Sequence, residues 1–373
     1  MIGKYNNMNL KHLLGYFLLP FWAVFLNAQN QVFFKPPAGY AVTSTDLHIH
    51  TAFSDGSVWP NIRVDEALKE GLDLISITDH LEYQPHKEDI PHPDRNRSFD
   101  IAIDRASNSE LTVIKGAEIT RSMPPGHINA VFIKDANKLL FPDDAKAAIV
   151  EANNQGGFVF WNHPNWERQR PDGIARLDPL HKELIRENLL HGIEVANHTT
   201  FSEEALTLAL DNNLTVLGTS DIHGLTTWEF KIPEGGHRPI TFVLSEDSSN
   251  AAIKKALFQG NTMVWFKDLM IGKAALLSNI IQANLTTSNI SYNEDEIIGE
   301  VKLKNHAAAP LHLHYKGPYT FHEDSSVFII PPYSEKILQI KTLTRKTRLE
   351  LPFTLLNGIV GAKQYLNFSV STP

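Results

Sequence analysis

Asp46-Leu47-His48-Ile49-His50-Thr51-Ala52-Phe53-Ser54-Asp55-Gly56 is the stretch on which the fold turns. It continues Ala41-Val-Thr-Ser-Thr and reads as a strand running into a glycine-containing loop. Side chains alternate along a strand, which puts Asp46, His48 and His50 on one face. Two imidazoles at a strand end, with Asp55 on the loop that follows, suit a divalent cation of borderline softness better than an apolar core. The pattern recurs. Hydrophobic runs also end at Thr78-Asp79-His80, Gly116-Ala117-Glu118, Asn162-His163-Pro164 and Ser220-Asp221-Ile222-His223.

Strand-like segments at 41–48, 72–78, 111–117, 127–133, 158–161, 192–196 and 214–218 alternate with helical or loop segments. The segment 60–71 is amphipathic, opened by Pro60 and closed by Gly71. Helical patterning also covers 99–108, 143–155, 180–188 and 202–211. This alternation predicts an α/β fold with parallel strand packing. Ligands at the C-terminal ends of nearly all these strands predict a (β/α)7 barrel, because the outer strands of an open sheet hold their ends too far apart to share a site. His127 is the exception, standing at the start of its strand. The polar stretch 81–98 reads as a long loop over the site, with His86 and His92 solvated. Beyond residue 284, Thr, Asn and Ser alternate with apolar residues in short runs, which predicts a small all-β, sandwich-like domain over 285–373. His312 and His314 alternate in one of those runs and read as surface residues.

At 373 residues the chain can bury a full core and support a second small domain. Its formal charge of −8 is mild and no basic tract occurs, which gives no support for extended nucleic-acid binding. Cysteine is absent, leaving His and carboxylates as the strong metal ligands. Lys4 and Lys11 precede the apolar run 13–26, and Asn27-Ala28 precede Gln29 in a small-residue cleavage context. Residues 1–28 therefore read as a secretory signal peptide, with the barrel assigned to 29–284. The apolar run is shorter than the roughly 20 residues of a spanning helix, and Pro20 interrupts it; an uncleaved anchor is the alternative. The expected location is the periplasm or the exterior, with no stable membrane insertion after cleavage.

His48, His50, Asp55, His80, Glu118, His127, His163, Asp221 and His223 make a candidate set of six imidazoles and three carboxylates. A tetrahedral cation takes three or four protein ligands, so this set exceeds one site and fits two or three; Zn, Mn and Fe are all compatible with it. Glu118 is the natural bridge, because a carboxylate has two oxygens whereas an imidazole offers one lone pair to one metal. Asp46, Asp79 and Asn162 stand beside ligands, where they can orient imidazoles. Such a cluster activates water and clamps the oxygens of an in-line displacement. It suits a small phosphorylated substrate but also polarises amides and lactones. Spacing alone defines a hydrolase.

The ordered motifs Asp46-Leu-His48-Ile-His50, Thr78-Asp79-His80, Gly116-Ala117-Glu118, Asn162-His163-Pro164 and Ser220-Asp221-Ile222-His223 resemble those of the PHP family. This is the polymerase and histidinol phosphatase superfamily of metal-dependent phosphoesterases. The resemblance covers about residues 41–240. It implies a distorted seven-stranded β/α barrel with up to three metals, usually zinc, manganese or iron, acting on mono- and diesters of small metabolites and nucleotides. It also implies one metal on His48, His50, Glu118 and Asp221, a second on Glu118, His127 and His163, and a third on Asp55, His80 and His223. Asp55 stands where many members carry histidine, which implies a weaker third site. The implied reaction is hydrolysis of a small phosphate ester by metal-activated hydroxide, with Glu118, Asp221 and His223 at its centre. The C-terminal β region resembles an add-on domain of secreted members.

Arg121, close after Glu118, either holds a phosphate oxygen as a fourth catalytic group or pairs with a loop acid. Lys231 and Arg238 carry the same two readings. Tyr83, Trp161, Trp166 and Trp228 are candidates for an aromatic wall, with Trp161 favouring a structural role inside its strand. His198 either touches substrate or is an ordinary loop histidine. Glu194 lies within its strand and receives no role. Two other functions compete: hydrolysis of a C–N or carboxylic ester bond, and a non-catalytic envelope binding protein.

Overall fold

Apolar residues along the strands and polar residues at their ends sort the first part of the chain into a barrel with one chemically distinct rim. The computed structural model describes residues 32–294 and 296–373, and the run read as an export signal lies outside them. The barrel strands are β1 (Ala41–Ile49), β2 (Leu74–Ile77), β3 (Thr112–Ile119), β4 (Ile128–Val131), β5 (Phe158–Trp161) and β6 (Gly192–Asn197), followed, after the short β7 (Thr200–Phe201), by β8 (Thr215–Thr219). β1, β2 and β3 pair in parallel, as do β5, β6 and β8. The circuit closes where the residues after β8 meet the end of β1. Asp221 N–H donates to the His48 carbonyl (2.9 Å), and His50 N–H donates to the Ile222 carbonyl (3.1 Å).

One strand departs from the expected parallel packing. β4 runs antiparallel to both β3 and β5. Its reversal carries the beginning of the strand to the rim reached by the ends of its neighbours. This is why His127 precedes its strand while the other ligands follow theirs.

The helices are set by local signals. α1 (Pro60–Glu70) starts on proline and stops at Gly71, which takes the left-handed conformation at φ 74°. Asp144 caps α2 (Ala145–Asn154) by accepting from Ala147 N–H at 2.9 Å, and Ser202 caps α3 (Glu203–Asp211) by accepting from Ala205 N–H at 3.1 Å. Away from the rim, Leu47, Leu74, Ile114, Phe160 and Leu217 share one apolar cluster with Ile253 and Leu257 of the helix Asn250–Phe258. Among the described residues no helix is long and apolar enough to cross a membrane.

The barrel is flanked by three antiparallel strands, β9 (Ile240–Ser245), β10 (Thr262–Phe266) and β11 (Leu269–Gly272), with β9 paired to β1. The helix Ala274–Asn284 then leads into the C-terminal domain. One of its sheets contains Leu285–Thr287, Ile298–Asn305, Glu335–Lys341 and Thr320–Phe321; the other contains Val327–Ile330, Leu311–Tyr315, Glu350–Gly361 and Gln364–Ser371. Val301, Leu303, Leu338 and Ile340 from the first pack with Leu313, Phe353, Leu355 and Phe368 from the second. The long strand Glu350–Gly361 also pairs in parallel with β11, so the second sheet continues into the barrel's flank. His312 and His314 are half-buried, opposite Ile329 and Val327.

Candidate metal centre

The ligands sit at the rim because each follows, or for His127 precedes, a buried strand. His48 and His50 leave β1 with their Nε2 atoms 3.0 Å apart. Asp221 Oδ1 lies 3.1 Å from both, and Glu118 Oε2 lies 3.6 Å from the first and 3.3 Å from the second. The other oxygen of Glu118 is 2.9 Å from His127 Nδ1, and Oε2 is 2.7 Å from His80 Nδ1. Asp55 Oδ1 is 3.1 Å from His223 Nε2 and 3.5 Å from His80 Nε2.

Three groups emerge, each with ligand atoms within 4.8 Å of one another: His48, His50 and Asp221; His80, Glu118 and His127; and His50, Asp55, His80 and His223. All nine residues singled out in the sequence stand in one connected cluster: His50 and His80 are each shared between two groups, and Glu118 lies against His48, His50 and His163. The sharing differs in detail from the family pattern. His80 stands in both the second and third groups, and His163 lies 3.8 Å from Glu118 and 4.0 Å from Asp221, between the first two. His163 (φ 27°) and Asp221 (φ 49°) hold left-handed backbone, a strained conformation for residues with a Cβ that the surrounding fold must enforce.

The donor set fits divalent cations. Asp55 Oδ1, Glu118 Oε2, His127 Nδ1 and His163 Nδ1 are buried without a hydrogen-bond partner. Leaving such atoms dry costs free energy that a cation would recover. Imidazole nitrogens and carboxylate oxygens without thiolate suit zinc, manganese and iron.

Supporting residues hold the ligands in place. Glu194 is buried and accepts from Thr219 Oγ1 (2.6 Å), Asn197 Nδ2 (2.9 Å) and His163 N–H (2.6 Å). Its Oε1 stands 2.8 Å from His48 Nδ1, so Glu194 fixes that ring with Nε2 toward the cluster. The residue left without a role by sequence is thus an orienting carboxylate. A glutamate inside the apolar strand Gly192-Ile-Glu-Val-Ala was the available signal, since such a side chain needs a buried partner. Asn162 donates to Glu118 Oε1 at 2.8 Å. Asp79 acts through Ser54, which donates to it at 2.7 Å and lies 3.3 Å from His50 Nδ1. Asp46 touches no ligand ring; it accepts from Ser220 N–H and pairs with Arg238. Glu194→Gln should keep the fold but weaken metal retention about 10–100-fold, measured by competition with a chromophoric chelator. Unchanged retention would exclude the orienting role.

Several candidates outside the ligand set are relocated. Arg121 is not among the residues lining the cavity over the cluster; it pairs with Glu82 and donates to the Phe141 carbonyl, so the loop-acid reading holds and the phosphate role does not. Arg238 is buried, bonded through Nε and Nη2 to Glu70 (2.9 Å each) and through Nη1 to Asp46 (2.9 Å), and serves as a structural tie. Trp161 is buried and stacked on His181, and His92 is buried against Phe53 rather than solvated. Trp228 is 77% exposed and lies outside this cavity.

The cavity has a volume of about 660 Å³. Above the cluster it is walled by Tyr83, Trp166, Arg168, His198 and Glu229. Trp166 packs its ring 5.1 Å from His163 and 5.5 Å from His127. Glu229, unremarked in the sequence, accepts from Gly224 N–H (2.7 Å) and faces His198 Nε2 at 2.8 Å.

Without cations the cluster neutralises itself with protons. Burial alone would push Glu118 and Asp221 up, but the imidazoles around them, His80 and His127 for Glu118 and His48 and His50 for Asp221, hold both well below the usual carboxylate range. Burial would push His80 and His223 down, yet Glu118 and Asp55 lift His80 to about 10, and Asp55 and Asp221 lift His223 to about 9. His50 falls to about 4 through burial and repulsion by His223 and His80.

These shifts fix a pH dependence for the metal-free protein. The folded-state values of His80 and His223 lie above 6.5, so their stabilisation is complete below that pH and is lost as pH rises through about 9 to 10. The carboxylates act oppositely: their contribution is present above about 4.5 and disappears at lower pH. The Tm of metal-stripped protein should fall between about pH 6.5 and 10, and bound cation should remove most of that fall. Loading at neutral pH should release at least two protons per chain, those of His80 and His223 with a contribution from His48, whose pKa is also raised, read as a buffer-dependent heat. A flat Tm in the stripped protein would contradict this charge arrangement.

The sequence profile of the PHP domain matches residues 46–164, and that of an Ig-like domain, DUF5001, matches residues 285–371. A two-domain protein from Bacteroides vulgatus, described as containing a predicted PHP-like metal-dependent phosphoesterase, is 37% identical; the alignment covers 91% of this chain and 97% of that one with a TM-score of 0.85. PsfC from Pseudomonas syringae is 17% identical over 61% of this chain and 92% of its own, with a TM-score of 0.42. No curated protein matches.

Proposed function

Since the chain belongs to the PHP family of metal-dependent phosphoesterases, we propose that its substrate is a small phosphate ester, hydrolysed at the rim of the barrel. The observation that carries this reading is the meeting at one rim of three metal-capable groups that share His50 and His80 and contain orphaned buried donor atoms. His48, His50, Glu118 and Asp221 would hold one cation, Glu118 with His127 and His163 a second, and Asp55 with His80 and His223 a third. Cations there would supply a water of lowered pKa and positive charge for the phosphoryl oxygens.

The chain's own residues do the rest. Glu194, Asn162 and the Ser54–Asp79 pair keep ligands in orientation. Trp166 and Tyr83 wall the cluster and restrict bulk water. Arg168, exposed at the mouth, is the cation best placed to draw in a phosphate. Glu229, 2.8 Å from His198 Nε2, holds that ring in the cavity wall, where it can contact the departing alcohol. We further propose that residues 1–28 direct export, checked by whether the mature chain isolated from its source begins at Gln29.

The decisive experiment is a metal analysis followed by assay of the mature protein on p-nitrophenyl phosphate, bis-p-nitrophenyl phosphate, nucleotides, and a panel of carboxylic esters and amides. Metal-dependent cleavage of phosphate esters supports the proposal. Activity confined to amides or carboxylic esters overturns it.

A further inference from the structure

The His198–Glu229 pair has a cavity on each side. One is the cavity over the candidate metal cluster; the other, about 520 Å³, lies between the barrel and the C-terminal domain. Phe230, Lys231, Trp265 and Lys267 line it on the barrel side, and Pro310 and Pro332 on the other. The two walls are fixed to each other. β11 pairs with the strand Glu350–Gly361, and buried Asn357 donates to the carbonyls of Asp268 (2.7 Å) and Pro310 (2.9 Å), one on each wall. The groove is therefore pre-formed, as ligand sites between domains commonly are.

Its lining sets two lysines against two carboxylates, Glu229 and Asp268, on strained backbone. Lys231 and Lys267 are exposed, and neither forms an ion pair among the described residues; Lys267 Nζ lies 3.3 Å from the Thr199 carbonyl and 4.8 Å from the centre of the Phe266 ring. Glu229 is held by His198 and Gly224 N–H, which leaves both ammonium groups available to a ligand. His198 (φ 50°), Lys231 (φ 51°) and Lys267 (φ 53°) all hold left-handed backbone. Such non-glycine positions gather at functional sites.

We propose that this groove receives the alcohol half of the phosphoester, and that this half is a ring carrying a second anionic group. The inference rests on the phosphoesterase reading above. A substituent on phosphorus at the cluster has the groove as its adjoining compartment, with His198 and Glu229 common to both. The edges of Phe230 and Trp265 and the two prolines fit a ring, and the lysines fit its charge. On hydrolysis the oxygen of one water joins phosphorus. The P–O bond to the ring half breaks with its electron pair on the ester oxygen, which takes one of the water's two protons to leave as the alcohol, while the other remains with the phosphate.

Calorimetric titration of the metal-loaded full chain tests this independently of turnover. Non-hydrolysable phosphonate analogues of glucose 1-phosphate and glucose 1,6-bisphosphate form one pair of probes, and benzylphosphonate and 4-carboxybenzylphosphonate the other. In at least one pair the doubly anionic member should bind about tenfold tighter or more, and the responding pair identifies a sugar or an aryl ring. Lys231→Ala with Lys267→Ala should bring that ratio close to one. A ratio near one in both pairs for the unaltered protein, or a preference that survives loss of both lysines, overturns the proposal. Failure of the phosphoesterase reading would appear separately, as no phosphate-ester hydrolysis in the substrate panel.

Discussion

Glu118→Gln should lower kcat/KM for a phosphate monoester by about 10³-fold or more while leaving the far-UV CD spectrum unchanged. Glutamine keeps the shape of the side chain but removes the negative charge that five imidazoles face, those of His48, His50, His80, His127 and His163. It also replaces one oxygen by an NH2 group, which has no lone pair for a cation. The two groups joined through Glu118 should then lose cations together, so metal content per chain should fall with the activity. In the metal-free protein the same change removes the main charge lifting His80, whose pKa should drop from about 10. A Glu118→Gln protein that retains both its full metal complement and its turnover would show that the cluster is not organised around this carboxylate.

Arg63→Met should destabilise the fold by about 3–5 kcal/mol, read as a lower urea midpoint at unchanged slope. Arg63 is fully buried on α1, beneath the rim. Its guanidinium donates to the carbonyls of His50 (2.9 Å), Gly224 (2.7 Å), His223 (2.9 Å) and Ile222 (3.2 Å), and pairs with Glu66 at 2.7 Å. It therefore ties the loop after β1 to the loop after β8, the two segments that carry His50 and His223. Methionine fills much of the volume but leaves those carbonyls and the Glu66 carboxylate without their donor, and buried unsatisfied groups of this kind are expensive. Metal retention should weaken as well, because the two loops would no longer be held in register. A midpoint within about 0.5 kcal/mol of the unaltered protein would mean that water replaces the guanidinium without loss.

Hydrophobic runs ending in His, Asp or Glu are a local property, so the succession of barrel strands and the nine candidate side chains at one rim could be read directly from the chain. The change of texture near residue 285 is equally local, and it marked the start of the all-β region. Tertiary structure alone decided what depends on which distant segments meet. The antiparallel course of β4 follows from its pairing with β3 and β5 and leaves no trace in periodicity. Glu194 acquired a role because His48, 146 residues earlier, lies against it, and Arg63 because Gly224, 161 residues later, turns its carbonyl inward. Arg121 lost its phosphate role because Glu82, on the loop over the site, lies against its guanidinium. The groove beside the metal centre exists only because two domains share a sheet. Side-chain periodicity records which face of an element is buried, but the partner a charged group finds there is fixed by chain closure over hundreds of residues.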